Sequence, residues 1–173
     1  MGVIRIVILC VVAAVGYGLV QDQVTARVCV EYFTIGHPPV FATESPTLLA
    51  LGWGVIATWW VGLLLGVPLS LAARVGKRPT RDARDLVKPV LVLLAVIASA
   101  ALVAGIVGYV LARTGAIFLL QPLADQVPAD RHALFLADGA AHNVAYAAGF
   151  IGGIVLTIRT WRRRRFPAPP PPA

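Results

Sequence analysis

Carboxylate and imidazole side chains recur at helical spacing near the end of the chain. Asp138 and His142 are four residues apart, so they lie on one face of a helix, and Tyr146 follows four residues later. Ionisable side chains within a membrane are costly to bury, and they typically mark sites for ions, protons or ligands. Counting about 20 residues back from Arg159 places Asp138 at the outer edge of a membrane and His142 about one helical turn inside it.

A polar segment at 21–46 contains further residues of the same kinds, namely Asp22, Glu31, His37 and Glu44. Neutral imidazole binds divalent transition metals well and titrates near neutral pH, so a cluster shared with the last helix predicts metal binding or proton relay. The candidate ligands of a divalent metal are His142, Asp138, His37 and Glu31.

A structural explanation of these residues stays open. Asp138 and His142 can satisfy one another, and His37 can shape the turn before two prolines. The sequence has no C-x-x-C or H-E-x-x-H pair, no phosphate-binding glycine loop and no serine-hydrolase elbow. Cys10 lies within an apolar run and Cys29 beyond its end, so no disulfide between them is expected. The sequence therefore favours a protein that is not an enzyme and has no cofactor, with a divalent metal as the alternative.

The composition predicts the environment in which these residues act. Of the 173 residues, 58% are apolar and only 13% are charged, which is typical of a protein embedded in a bilayer. The formal net charge is +7, but the basic residues lie in two blocks that border apolar runs. No nucleic-acid-binding module accompanies them, so we expect a lipid bilayer rather than nucleic acid as the partner.

Apolar runs long enough to cross about 30 Å of hydrocarbon predict an all-α integral membrane protein with four transmembrane helices. The predicted spans are 3–20, 47–73, 89–112 and 132–158. They are joined by an outer loop at 21–46, a basic cytoplasmic loop at 74–88 and an outer connector at 113–131. Together they form a single membrane domain at 1–165, followed by a tail at 166–173 that is rich in proline and alanine and is predicted to be disordered.

The distribution of Lys and Arg predicts the orientation. Twelve of these residues lie in the starting segment, the loop at 74–88 and the segment after the fourth span, whereas the two other connectors hold three. Cytoplasmic loops carry the excess of positive charge, so both termini are predicted to be cytoplasmic.

The outer loop begins with an alternating pattern. Val24, Ala26, Val28, Val30 and Tyr32 alternate with more polar positions, and this period of two predicts a short strand-like segment over the outer mouth of the bundle. A lone strand is unstable, so the segment must pair with the outer connector or pack on the helices.

Two stretches of the chain resemble a known group of proteins. DQVTARVCVEYFTIGHPP, and SPTLLALGWGVIATWWVG after it, are similar to uncharacterised bacterial multi-span membrane proteins that carry a D-Q-x-T…E-Y-F-T…H loop after the first span. The resemblance covers the first two spans and the loop between them. It implies a location in the bacterial inner membrane and carries over no catalytic or binding residue.

Two functions are consistent with these features. The first is a non-enzymatic integral membrane protein whose outer loop contacts a membrane partner or a second copy of the chain. The alternative is a small metal-, ion- or proton-handling protein that uses Asp138 and His142, with Asp22, Glu31 or His37 contributed by the loop. The inner halves of the spans are almost free of polar residues, which disfavours transport by one chain alone.

Overall fold

The computed structural model describes residues 1–164, and the predicted tail at 166–173 lies outside the described residues. The helices are α1 Gly2–Val28, α2 Glu31–Thr34, α3 Pro46–Ile56, α4 Trp59–Arg74, α5 Ala83–Arg113, α6 Leu123–Gln126 and α7 His132–Arg163, with a 3-10 turn at Ala129–Arg131. Four segments are long and apolar enough to cross a membrane, namely Gly2–Val28, Pro46–Arg74, Ala83–Arg113 and Ala129–Arg163. The prediction of an all-α fold with four spans is confirmed.

The four spans pack as a bundle in which neighbours along the chain are not always neighbours in space. The first span packs on the second and on α5, and α7 packs on α5 and α4, so α1 and α7 lie diagonally opposite. Glycines allow the close approaches, because a Cβ atom on Gly62 would lie 2.6 Å from Val11 Cα. A Cβ atom on Gly108 would lie 2.8 Å from the Ala140 methyl group of α7.

The two ends of the bundle differ in character. The loop end carries residues 29–45 and 114–131, and the basic end carries residues 75–82 and the end of α7. At the basic end, Asp82 and Asp85 form a capping box that begins α5. The Arg164 guanidinium is buried there and donates to the carbonyl oxygens of Ala72 and Val75, which are orphaned where α4 ends.

The second span is interrupted in its middle. The helix stops at Ile56 and resumes at Trp59, and the Thr58 hydroxyl donates to the Gly54 carbonyl oxygen at the interruption. A break inside a span releases backbone groups from the helical ladder, and such breaks are tolerated where the backbone is buried in protein or lines a cavity. The sequence analysis did not predict this break.

The prediction of a strand-like segment is wrong, because residues 1–164 contain no strand. Residues 24–28 continue α1, and residues 31–34 form the short helix α2. Asp22, Thr25, Ala26 and Cys29 are all buried, and their spacing of three, four and seven residues is that of one helical face. The sequence contains both the helical and the alternating pattern. Packing of the buried helical face against the bundle makes this segment a helix.

Candidate functional site

A buried acid–base pair joins the first and last spans across the middle of the bundle. His142 Nε2 on α7 lies 3.1 Å from Asp22 Oδ1 on α1. Only 13% of the His142 side chain and 6% of the Asp22 side chain are exposed. Since α1 and α7 are diagonally opposite and otherwise touch little, this pair is a principal link between them.

The hydrogen-bond partners of His142 determine how many protons the pair needs. Nδ1 lies 2.9 Å from the backbone carbonyl oxygen of Asp138, which can only accept, so Nδ1 carries a proton. The contact of Nε2 with Asp22 Oδ1 needs a second proton, carried by the imidazole or by the carboxyl group. After loss of that proton, the single N–H of the neutral imidazole can serve only one of the two acceptors, so both hydrogen bonds are made together only while the second proton is present.

Two buried oxygen atoms beside the pair have no hydrogen-bond partner among the described residues. They are Asp138 Oδ2 and Thr25 Oγ1, and their residues are 5% and 0% exposed. Buried polar atoms are almost always paired, and since the Thr25 hydroxyl group faces the Asp138 carboxyl group, a small adjustment lets it donate to Oδ2.

A central cavity begins at the pair and is lined by all four spans. Asp22 and His142 line it together with Tyr17, Gln21 and Tyr146, and apart from Thr58 its other walls are apolar. The interruption of the second span also faces it through Ala57 and Thr58. The Tyr146 hydroxyl donates to the Ala57 carbonyl oxygen at 3.2 Å, which satisfies a carbonyl at the break.

The short helix α2 covers the pair from the loop end. The Tyr32 ring lies over the His142 ring, with 4.7 Å between their centroids and 32° between their planes. The Phe135 ring also packs on Tyr32, with 5.5 Å between the two ring centroids. The predicted position of the 21–46 segment over one end of the bundle therefore holds for α2, although the segment is helical.

Polar contacts fasten α2 to the start of α7. Arg131 Nε lies 3.2 Å from Glu31 Oε2, and Arg131 Nη2 donates to the Val28 carbonyl oxygen at 3.0 Å. Burial alone would raise the pKa of Glu31, but hydrogen bonds from its own backbone, from Cys29 and from Arg131 hold that pKa below its usual range. Burial, followed by the hydrogen bond to Glu31 and its charge, raises the pKa of the Cys29 thiol to about 12.

The four candidate metal ligands do not converge. Glu31 is paired with Arg131, and His37 Nδ1 donates to the Tyr32 carbonyl oxygen at 2.7 Å. The Tyr32 ring contacts both histidine rings, since its centroid lies 5.0 Å from that of His37 and 4.7 Å from that of His142. Within residues 1–164, no group of three or more His, Cys, Asp and Glu side chains is arranged to hold a metal ion.

Comparison of the chain with protein-family models, with curated proteins and with solved structures found no match. The class of protein is therefore defined by its own fold and site. It is an all-helical protein with four helices suited to cross a membrane, consistent with a multi-pass membrane protein, and a buried Asp–His pair lies at one end of its central cavity.

Proposed function

We propose that this chain is a proton-handling integral membrane protein, and that the Asp22–His142 pair is the group that gains and loses the proton. The observation that carries the proposal is the hydrogen-bonding pattern of His142, in which both ring nitrogens face acceptors and the second bond requires an additional proton. In this proposal Nδ1 keeps the remaining proton, so that proton loss breaks the contact between diagonally opposed helices and a chemical change of one proton becomes a change in helix packing.

The position of the pair supports this function. Asp22 lies about 30 Å along the helix axis from Gly2, so the pair is close to the loop end of the bundle and far from the basic end. By the excess of Lys and Arg at the basic end, we assign that end and both termini to the cytoplasm of a bacterium and the loop end to the outer side of its inner membrane. The pair then senses protons on the outer side. No enzymatic step and no cofactor is required.

Partner contact through the outer loop, the other function inferred from the sequence, has weaker support. Thr25, Cys29 and Phe33 are at most 3% exposed, so these three side chains of the loop pattern face the bundle, and Val24 at 56% exposed is left for contact with a partner. A stable metal site would need His37 and Glu31 to leave the carbonyl and guanidinium groups that they now contact.

The test is the distance between α1 and α7 at two pH values. Spin labels are attached at Val20 and Ile151, which are 68% and 65% exposed, in a Cys10→Ala, Cys29→Ala background in lipid nanodiscs. Pulsed electron paramagnetic resonance then compares pH 5 with pH 9. We expect the distance to lengthen at pH 9, because loss of the proton removes the Asp22–His142 bond.

Asp22→Asn is the matched variant, because an amide can donate to neutral His142 Nε2 at either pH. Its distance is expected to be the same at pH 5 and pH 9. His132→Gln is the control for general histidine effects, since within residues 1–164 His132 hydrogen-bonds the Val127 carbonyl oxygen rather than a carboxylate. An unchanged distance in the unsubstituted protein, or an equal response in Asp22→Asn, would overturn the proposal.

A further inference from the structure

The central cavity is long and narrow. It extends along α1 from Asp22 to Cys10 and along α7 from His142 to Leu156. Twelve residues of helix correspond to about 18 Å, at about 1.5 Å per residue. The volume open to the centres of water-sized spheres is about 110 Å³. Spread evenly over this length, the volume corresponds to a mean radius of about 2.8 Å once the sphere radius of about 1.4 Å is included, and the cavity is partly open to the outside.

A cavity of this mean radius matches one hydrocarbon chain. Carbon atoms in contact are about 3.5–4.0 Å apart, so an extended alkyl chain has a half-width of about 2–2.5 Å and fits singly. A length of about 18 Å corresponds to about 14 carbons at about 1.3 Å per bond along the chain. The walls below the pair are apolar side chains, including Leu65, Leu69 and Leu94, and they offer such a chain no polar partner.

The polar end of the cavity suits a small uncharged head group. Asp22 Oδ1 is occupied by His142, which leaves Oδ2 as an acceptor for a hydroxyl group. The Asp22–His142 pair with its proton has no net charge, whether the proton is carried by the imidazole or by the carboxyl group. A charged head would therefore lack a counter-ion there, whereas a hydroxyl group can donate to the carboxylate.

We propose that the central cavity binds a single-chain lipid with an unbranched tail of about 14 carbons and an uncharged hydroxyl-type head group at Asp22 and His142. This rests on the proposed function in so far as the pair with its proton is the polar end of the site. The chain-binding part depends on the shape of the cavity alone.

The experiment uses a tetradecanol carrying a photoreactive diazirine in mid-chain, with the full-length protein in nanodiscs. After irradiation, mass spectrometry locates the label. We expect label on cavity residues such as Leu65 and Leu94. Unlabelled tetradecanol and unlabelled tetradecane are then compared as competitors, and the alcohol should displace the label at a mole fraction at least fivefold lower than the alkane. Asp22→Leu, which has no acceptor oxygen, should reduce this preference for the alcohol to less than twofold.

Two glycine substitutions separate the cavity from the outer surface. Gly149 lines the cavity, and a Cβ atom there would meet only Ile97 Cδ1 at 3.7 Å, so Gly149→Leu fills the space without a clash at the Cβ atom. Gly16 has nothing within 4 Å of such an atom, and Gly16→Leu adds the same side chain elsewhere on the bundle. We expect Gly149→Leu to reduce labelling of the cavity at least fivefold and Gly16→Leu to change it by less than twofold.

Label found only on lipid-facing residues such as Leu63 and Ile151, or cavity labelling unaffected by Gly149→Leu, would overturn the inference. Melting temperatures of both glycine variants close to that of the unsubstituted protein establish that each is folded. Gly149→Leu leaves Asp22 and His142 in place, so the pH-dependent distance between α1 and α7 should persist in it. Failure of the lipid site and failure of the proton function are therefore distinguishable.

Discussion

Removing either member of the Asp22–His142 pair should destabilise the protein strongly, and the two losses should not add. The perturbation is a double-mutant cycle made of Asp22→Ala, which removes both carboxylate oxygens, His142→Gln and the combined variant. Both side chains are nearly buried, at 6% and 13% exposed, so water replaces the lost partner poorly. Breaking a buried charged pair costs about 3–5 kcal/mol, and we expect about 3 kcal/mol for His142→Gln because the remaining carboxylate keeps some exposure to the cavity.

The coupling free energy between the two sites is the decisive quantity. A hydrogen bond to a charged group contributes about 1.5–3 kcal/mol, so we expect a coupling of about 2 kcal/mol at pH 6. The assay is unfolding by increasing SDS in mixed micelles, followed by tryptophan fluorescence. Arg74 and Asp82 provide the control pair, because their side chains are 28% and 72% exposed and an exposed ion pair contributes about 0–1 kcal/mol. A coupling below about 0.5 kcal/mol for Asp22 and His142 would refute the reasoning.

Three further predictions concern the two ends of the bundle. Arg164→Gln removes a guanidinium that donates to four carbonyl oxygens, so it should lower the free energy of unfolding by about 3 kcal/mol in an SDS titration. Arg162 is exposed, and Arg162→Gln should lower that free energy by less than about 0.5 kcal/mol. Equal losses in the two variants would contradict this role of Arg164. Cys29 should react with a maleimide at least a hundredfold more slowly than a free thiol at pH 8, because its side chain is 0% exposed and its pKa is raised to about 12. Rapid labelling of Cys29 in the folded protein would contradict this prediction. Glu31 has a lowered pKa in the folded protein, so its pairing with Arg131 stabilises the fold above about pH 4.5 and is lost as the pH falls through the lowered pKa. Glu31→Gln should therefore reduce the fall in melting temperature that occurs as the pH is lowered below about 4.5. An unchanged fall in Glu31→Gln would exclude this pairing as its cause.

The four spans could be predicted from the sequence because each needs only length and hydrophobicity. The strand-like segment could not be resolved correctly, because Val24 to Tyr32 alternate while Asp22, Thr25, Ala26 and Cys29 also follow a helical face. Only packing against the other helices decides between two such patterns.

The site could be predicted in part. The shared helical face of Asp138 and His142 was correct, and Asp22 was among the loop residues expected to join them. The sequence could not show that His142 bonds the backbone of Asp138 and the side chain of Asp22, since that depends on how α1 and α7 face each other. The break at Ala57 and Thr58 has no proline beside it, so the residue type that most reliably predicts a helix break is missing there.

The measurement that tests the central claim most directly is the nitrogen NMR spectrum of histidine-labelled protein in nanodiscs, recorded from pH 5 to pH 9 and compared with Asp22→Asn. If the pair holds an exchangeable proton, His142 Nδ1 keeps its proton throughout, while the Nε2 signal moves with pH and moves again on Asp22→Asn. An Nε2 signal that ignores both the pH and the substitution at Asp22 would contradict the account.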